Sequence, residues 1–217
     1  MVKKLDIKLQ KVIEKFTQLF DLSEKELNKF IKYSQMLIEW NNKFNITAIT
    51  DELEIIAYHF RDSLALGKQV DLNQAKFICD VGSGGGFPAI PLKIKYPHLK
   101  VLLIEVNKKR CSFLEEIIKE LELENIEIYD QDWRTFLKKS NYEHIDYFVS
   151  RASLHPEELV RMFKPSSPYK NSTLVYWAAR TWEPEKKEAP LVQKMVEYKI
   201  NYKRRKLVYF VLSNVQK

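Results

Sequence analysis

Apolar residues recur at helical spacing through the first quarter of the chain. Residues 5–20 are moderately periodic, and Ser23 with Glu26 writes a capping box ahead of a second helix. In that helix Leu27, Phe30, Ile31, Leu37 and Ile38 share one face, and the pattern ends near Trp40. The turn-prone stretch 41–47 interrupts it. Asp51 and Glu54 then open a helix whose apolar face is Leu53, Ile56, Ala57, Phe60 and Leu64. His59, Asp62 and Ser63 lie on its remaining surface and read as an ordinary polar face or a hydrogen-bonded anchor. Three hydrolase triad members on one helical turn cannot be aligned as nucleophile, base and orienter.

From Lys76 the period changes. Short β-branched runs at 77–81, 101–106, 126–129, 145–150 and 173–178 alternate with helical patterns at 90–96, 108–121 and 156–163. That alternation implies an α/β fold, a mostly parallel sheet with helices on both faces. Residues 185–198 read as a weak helix interrupted by Pro190. Residues 198–202 and 207–212 read as two antiparallel edge strands joined by Lys203-Arg204-Arg205-Lys206. The expected organisation is an N-terminal helical extension, 1–70, packed on a core, 71–217.

Four of the five glycines fall at 82, 84, 85 and 86, between the first strand and the next helix. Glycine concentrated in such a turn marks close approach of backbone to a ligand. A dinucleotide fingerprint begun at Gly82 needs glycine where Phe87 stands, and the Gly-Lys-Ser/Thr of a triphosphate loop is absent. The amino-acid end of S-adenosylmethionine fits this spacing better. Glu105, about twenty residues past the loop at the end of the second strand, is placed to accept from both hydroxyls of a ribose. Asp130, Gln131, Asp132 and Trp133 follow the third strand, where they could bracket an adenine; Trp133 serves equally as a core residue at a helix start.

A chain of 217 residues suits one main core. Its charge is 36 − 29 = +7, which favours a polyanionic partner or, equally, reflects a lysine-rich solvated surface. Cys79 and Cys111 have no partner at metal-ligand spacing, so no metal and a reduced, cytoplasmic setting are expected. No run of apolar residues is long enough to span a bilayer, and Met1 to Asp6 lacks an apolar signal core, so no membrane association is expected.

Five ordered motifs carry a family resemblance: Asn45-Ile46-Thr47, the run His59 to Leu64, the run Asp80 to Leu92, Lys109-Arg110 with Phe113-Leu114, and Ser150-Arg151-Ala152. Together they resemble the RsmG (GidB) family of small-subunit rRNA methyltransferases, over roughly Glu39 to Ala152. The resemblance implies a class I methyltransferase fold that uses S-adenosylmethionine to methylate N7 of a guanine in 16S rRNA. The partner would be 16S rRNA or the small ribosomal subunit, met by a monomer. Carried over by position, the cofactor contacts are Gly82, Phe87, Trp133, Arg134 and Arg151. Ser83, Gly84, Gly86, Glu105 and Asp132 join them from the loop and strand ends. Arg151, His59, Asp62 and Asn45 are expected to position rather than transfer protons, because N7 carries a lone pair and no proton.

After Arg151 the chain departs from the family pattern. Pro165-Ser166-Ser167-Pro168 replaces a Pro-Gly-Gly turn, and Trp177-Ala178-Ala179 replaces Leu-Lys-Gly, with Arg180 nearby as a substitute cation. A non-catalytic RNA-binding relative, or a methyltransferase with another target, are the alternative readings.

Overall fold

The structure is a computed structural model that describes residues 7–212. Helix α1 (Ile7–Phe20) is seen from Ile7; its expected start at Leu5, and the Met1 to Asp6 stretch, lie outside the described residues. Helix α2 (Glu24–Phe44) begins in the expected capping box: Ser23 Oγ accepts from Glu26 N–H at 3.3 Å, and the Glu26 carboxylate accepts from Ser23 N–H at 2.6 Å. It ends on Asn45, left-handed at φ 50°. Asp51 caps α3 (Glu52–Glu54), which runs through a π-helical turn (Ile55–Phe60) into α4 (Arg61–Leu64).

This third helical run supplies a hydrogen-bonded anchor rather than an ordinary polar face. Asp62 and Ser63 are fully buried, because the run is wedged between α1, α2 and the sheet, so its polar side points into the molecule. The widened turn sits at the cleft described below, a common position for such an irregularity.

Seven strands form one sheet in the order β3-β2-β1-β4-β5-β7-β6. They are β1 (Phe77–Val81), β2 (Lys100–Ile104), β3 (Ile126–Tyr129), β4 (Tyr147–Arg151), β5 (Thr173–Ala179), β6 (Val192–Ile200) and β7 (Lys203–Phe210). The first five are parallel, and β7 inserts antiparallel between β5 and β6. Helices α5 (Ala89–Lys95), α6 (Lys108–Glu120), α7 (Trp133–Lys139) and α8 (Pro156–Leu159) make the connections. From β1 the chain moves outward to β3 and then returns to β4 on the other side, so the topological switch lies between β1 and β4.

Each sheet face carries its own apolar cluster. On one, Phe16, Phe30, Tyr33 and Phe60 of the N-terminal helices join Ile78, Val149, Val175 and Trp177 of the strands. On the other, Phe136, Phe148, Tyr169 and Phe210 pack together. Truncating a ring such as Phe60 would cost about 3–5 kcal/mol. No helix among the described residues is long and apolar enough to cross a membrane.

The end of the chain differs from the helix expected at 185–198. Only one 3-10 turn (Ala189–Leu191) forms there, and Val192–Ile200 is strand β6. Val196, Tyr198 and Ile200 alternate inward at period 2, which outweighs a helical pattern already broken by Pro190. The hairpin turn is Asn201-Tyr202, with Asn201 at φ 51°, and the basic run 203–206 is the first half of β7 rather than the connection.

Candidate active site

A cleft of about 850 Å³ opens at the carboxyl ends of β1, β2 and β4, beside the switch point. Gly82, Ser83, Gly84, Phe87, Glu105, Asp132, Trp133, Arg134, Arg151, His59 and Asp62 all border it. Asn45 and Gly86 do not. Asn45 is the left-handed cap of α2, and Gly86 turns toward the core, where a Cβ would fall 2.6 Å from Ile90 Cδ1.

The glycine loop is pinned by its backbone. Gly82 N–H and Ser83 N–H donate to Ile104 O, and Gly86 N–H and Phe87 N–H donate to Ser83 O. Gly82 sits at φ 72°, with Ser153 Cβ only 2.3 Å from where a side chain would begin, so no larger residue fits. Gly84, at φ 58°, is different: a Cβ there meets nothing nearer than Gly82 O at 4.0 Å, and the open space belongs to the cleft. Its N–H donates to Glu105 Oε2 at 2.8 Å, while Glu105 Oε1 accepts from Asn107 N–H at 2.9 Å. The carboxylate is thereby fixed at the end of β2, with lone pairs left to receive hydroxyls.

Beneath the loop, Asp80 accepts from Ala89 N–H at 3.1 Å through Oδ2, whereas its buried Oδ1 has no partner. Burial raises its pKa to about 7, against the opposing pull of the Ala89 N–H and the Arg151 charge.

Opposite the loop stands a network centred on Arg151. Its Nη1 donates to Asp62 Oδ2 at 3.1 Å and to the carbonyls of Tyr58 and His59 at 3.3 and 3.4 Å. Its Nη2 donates to His59 Nδ1 at 2.9 Å, and the guanidinium lies 4.9 Å from the Phe87 ring centre. An arginine can only donate, so His59 Nδ1 must accept, and the ring proton sits on Nε2, which donates to Thr47 Oγ1 at 2.9 Å. Burial, then Arg151 and Arg205, lower the His59 pKa to about 3, so the ring is neutral at physiological pH. It stacks on Phe87, with centres 4.3 Å apart and planes 11° from parallel.

Asp62 binds three further groups. Trp177 Nε1–H donates to its backbone carbonyl at 2.8 Å, Tyr198 OH donates to Oδ1 at 2.6 Å, and Arg205 Nε lies 3.3 Å from Oδ1. Burial and the Asp62 charge push the Tyr198 phenol far above its ordinary range, which keeps it a donor. One carboxylate thus joins the helical extension, the parallel sheet and the terminal hairpin at the cleft wall.

The third wall follows β3. Asp132 caps α7 by accepting from Arg134 and Thr135 N–H. Trp133 is a core residue, parallel to Phe136 at 5.6 Å, and its Nε1–H donates to Glu158 O at 2.9 Å. Arg134 pairs with the Glu158 carboxylate at 2.9 Å. Asp130 pairs with Lys108 outside the cleft, and Gln131 also lies outside it. Ala178 is buried in β5, directly opposite Lys206 of β7 in the antiparallel register, and neither it nor Arg180 borders the cleft.

Sequence reading missed Tyr198 and Arg205 as partners of Asp62, and Tyr58 and Ser153 as cleft residues. Alternation along β7 was the available signal. Lys203 and Arg205 face the cleft, while Lys206 turns away to Trp182 O and Glu183.

These residues could hold S-adenosylmethionine: Gly84 leaves open space in the cleft, the fixed Glu105 carboxylate could receive ribose hydroxyls, and the Arg151 charge borders the same cleft while bound to Asp62 and His59.

Comparison with known proteins agrees. The family model GidB, described as rRNA small subunit methyltransferase G, matches residues 26–208. A protein of Listeria monocytogenes serotype 4b named ribosomal RNA small subunit methyltransferase G is 40% identical over 161 residues, spanning 74% of this chain and 68% of that one. Among solved structures, M. capricolum TrmK in complex with S-adenosyl-homocysteine superposes with a TM-score of 0.54 at 15% identity, covering 71% of this chain and 69% of that one. TrmN from Thermus thermophilus gives 0.52 at 13% identity, covering 72% and 53%. The fold is that of the class I methyltransferases, and the chain belongs to the rRNA small subunit methyltransferase G family.

Proposed function

We propose that this chain transfers a methyl group from S-adenosylmethionine to N7 of a guanine in 16S rRNA of the small ribosomal subunit, acting as a cytoplasmic monomer. The observation that carries the reading is one cleft in which the glycine loop and Glu105 face the Arg151, His59 and Asp62 network. Bound there, the sulfonium supplies an electrophilic methyl.

The protein's own work is alignment. Guanine N7 attacks with its in-plane lone pair, so no base has to remove a proton. His59 is consistent with that: its Nδ1 lone pair takes an Arg151 N–H and its Nε2 proton goes to Thr47. Asp62 is equally committed, between Arg151, Arg205 and Tyr198. Rigid placement of the reacting groups can supply about 7–11 kcal/mol of barrier reduction. The stacked Phe87 and His59 rings and the pinned loop provide such a surface.

The test is incubation with methyl-labelled S-adenosylmethionine and small-subunit rRNA lacking the modification. Label recovered as N7-methylguanosine is expected. Label absent from both naked RNA and assembled subunits would refute the reading, and label on another atom would redirect it.

A further inference from the structure

The hairpin turn carries a feature that its fold does not require. Asn201 supplies the left-handed residue, and its Oδ1 accepts from Arg61 Nη1 at 2.9 Å, which ties the turn to α4. Nothing in that geometry calls for an aromatic residue next, yet Tyr202 stands there 75% exposed. Its ring meets Tyr58 edge to face, with centres 6.2 Å apart and planes at 72°. Lys203 Nζ lies 4.3 Å from the Tyr58 ring centre and 5.8 Å from that of Tyr202.

The position of this trio matters more than its composition. Tyr58 and Lys203 border the cleft, and Tyr58 and Tyr202 also border a smaller groove of about 290 Å³ lined further by Lys15, Glu54 and Arg61 and by the apolar Val12 and Leu53. One exposed aromatic ring, Tyr202, backed by Tyr58 with the Lys203 ammonium over it, therefore stands where the cleft passes onto the outer surface. A guanine presented to the cleft has to leave its stack, which leaves the neighbouring nucleotide with an unstacked face at the rim. Aromatic rings receive such faces with little regard to sequence, and a lysine beside them meets the phosphate.

We propose that Tyr58, Tyr202 and Lys203 form a stacking platform for the unpaired RNA nucleotide adjoining the target guanine, with Lys203 on its phosphate. The platform rests on the rRNA methyltransferase reading and adds to it where the RNA strand leaves the cleft. Tyr202 holds the base and the Arg61–Asn201 bond holds Tyr202's turn in place.

The experiment measures KM for unmodified small-subunit RNA, its salt dependence, and S-adenosylmethionine affinity by calorimetry in Tyr202→Ala, Tyr202→Trp and Lys203→Ala. Tyr202→Ala is expected to raise KM about tenfold and Tyr202→Trp to restore it, since any large ring can stack. Lys203→Ala is expected to raise KM and flatten the slope of log affinity against log salt by about 0.7, the value of one phosphate contact on a single strand. Cofactor affinity should stay that of the unaltered protein. Unchanged KM and salt slope in both alanine variants, with the unaltered protein active, overturns the platform alone. No transfer to RNA by the unaltered protein overturns the enzyme reading and the platform with it.

Discussion

Two of the cleft's walls are built by different rules. In the wall made by β1, β2 and their loops, partners are near in sequence: Glu105 and Gly84 are 21 residues apart, and the loop closes on Ser83 O and Ile104 O. In the opposite wall, Asp62 takes its partners from Trp177, 115 residues away, and Tyr198, 136 residues away. The first wall is a motif that fixes a ligand-sized gap; the second is a seam that fastens three parts of the molecule together. A cofactor seat can be written locally. The orientation of a large substrate over that seat depends on pieces that only folding brings together.

Breaking the seam should give the largest effect. Asp62→Ala leaves Arg151, 8% exposed at its side chain, facing a lost counter-ion, and should lower unfolding free energy by about 3–5 kcal/mol in denaturant titrations. A loss well under 1 kcal/mol would mean that the seam carries little.

The motif wall has its own electrostatic signature in Asp80. Its folded pKa of about 7 lies above the ordinary 3.8, so the folded state holds a proton that the unfolded state releases in between. The stabilisation linked to this group is present below about pH 4 and is lost as pH rises through about 7. Asp80→Asn keeps an acceptor for Ala89 N–H and removes that loss. The variant should match the unaltered protein near pH 4 and exceed it at pH 8 by roughly 4 kcal/mol, three pKa units at about 1.36 kcal/mol each. Parallel pH profiles for the two proteins would place the proton elsewhere.

Tyr198→Phe probes the seam more gently, since Arg205 and Arg151 still face Asp62. It should cost about 1.5 kcal/mol, the worth of a hydrogen bond to a charged acceptor. A cost matching that of Asp62→Ala would make the phenol, rather than the ion pairs, the centre of the network.

Legibility in sequence followed the same division. The alternation of strands and helices, the glycine loop and the Glu105 position were readable because each rests on local spacing. His59 and Asp62 were readable as neighbours on a helix, but the full burial of Asp62 was not, because it is decided by Arg151, Trp177 and Tyr198 arriving from elsewhere. The terminal hairpin was misread as part helix because Pro190 and the charged stretch before it mask the period-2 signal of Val196, Tyr198 and Ile200. The basic run 203–206 is similar: composition shows four cations, and only the strand register divides them between the cleft and the opposite side.

The central claim is that the local wall is a seat for S-adenosylmethionine, and calorimetric titration of the full chain tests it most directly. Gly84→Ala is the informative partner, since its Cβ would enter open cleft space without meeting any neighbour, and its left-handed backbone at φ 58° would add strain to the same loop. The account predicts one-to-one binding by the unaltered protein and at least a tenfold loss in Gly84→Ala, a difference of about 1.4 kcal/mol or more. Absence of binding by the unaltered protein at about 1 mM cofactor, or equal affinity in the two proteins, would contradict it.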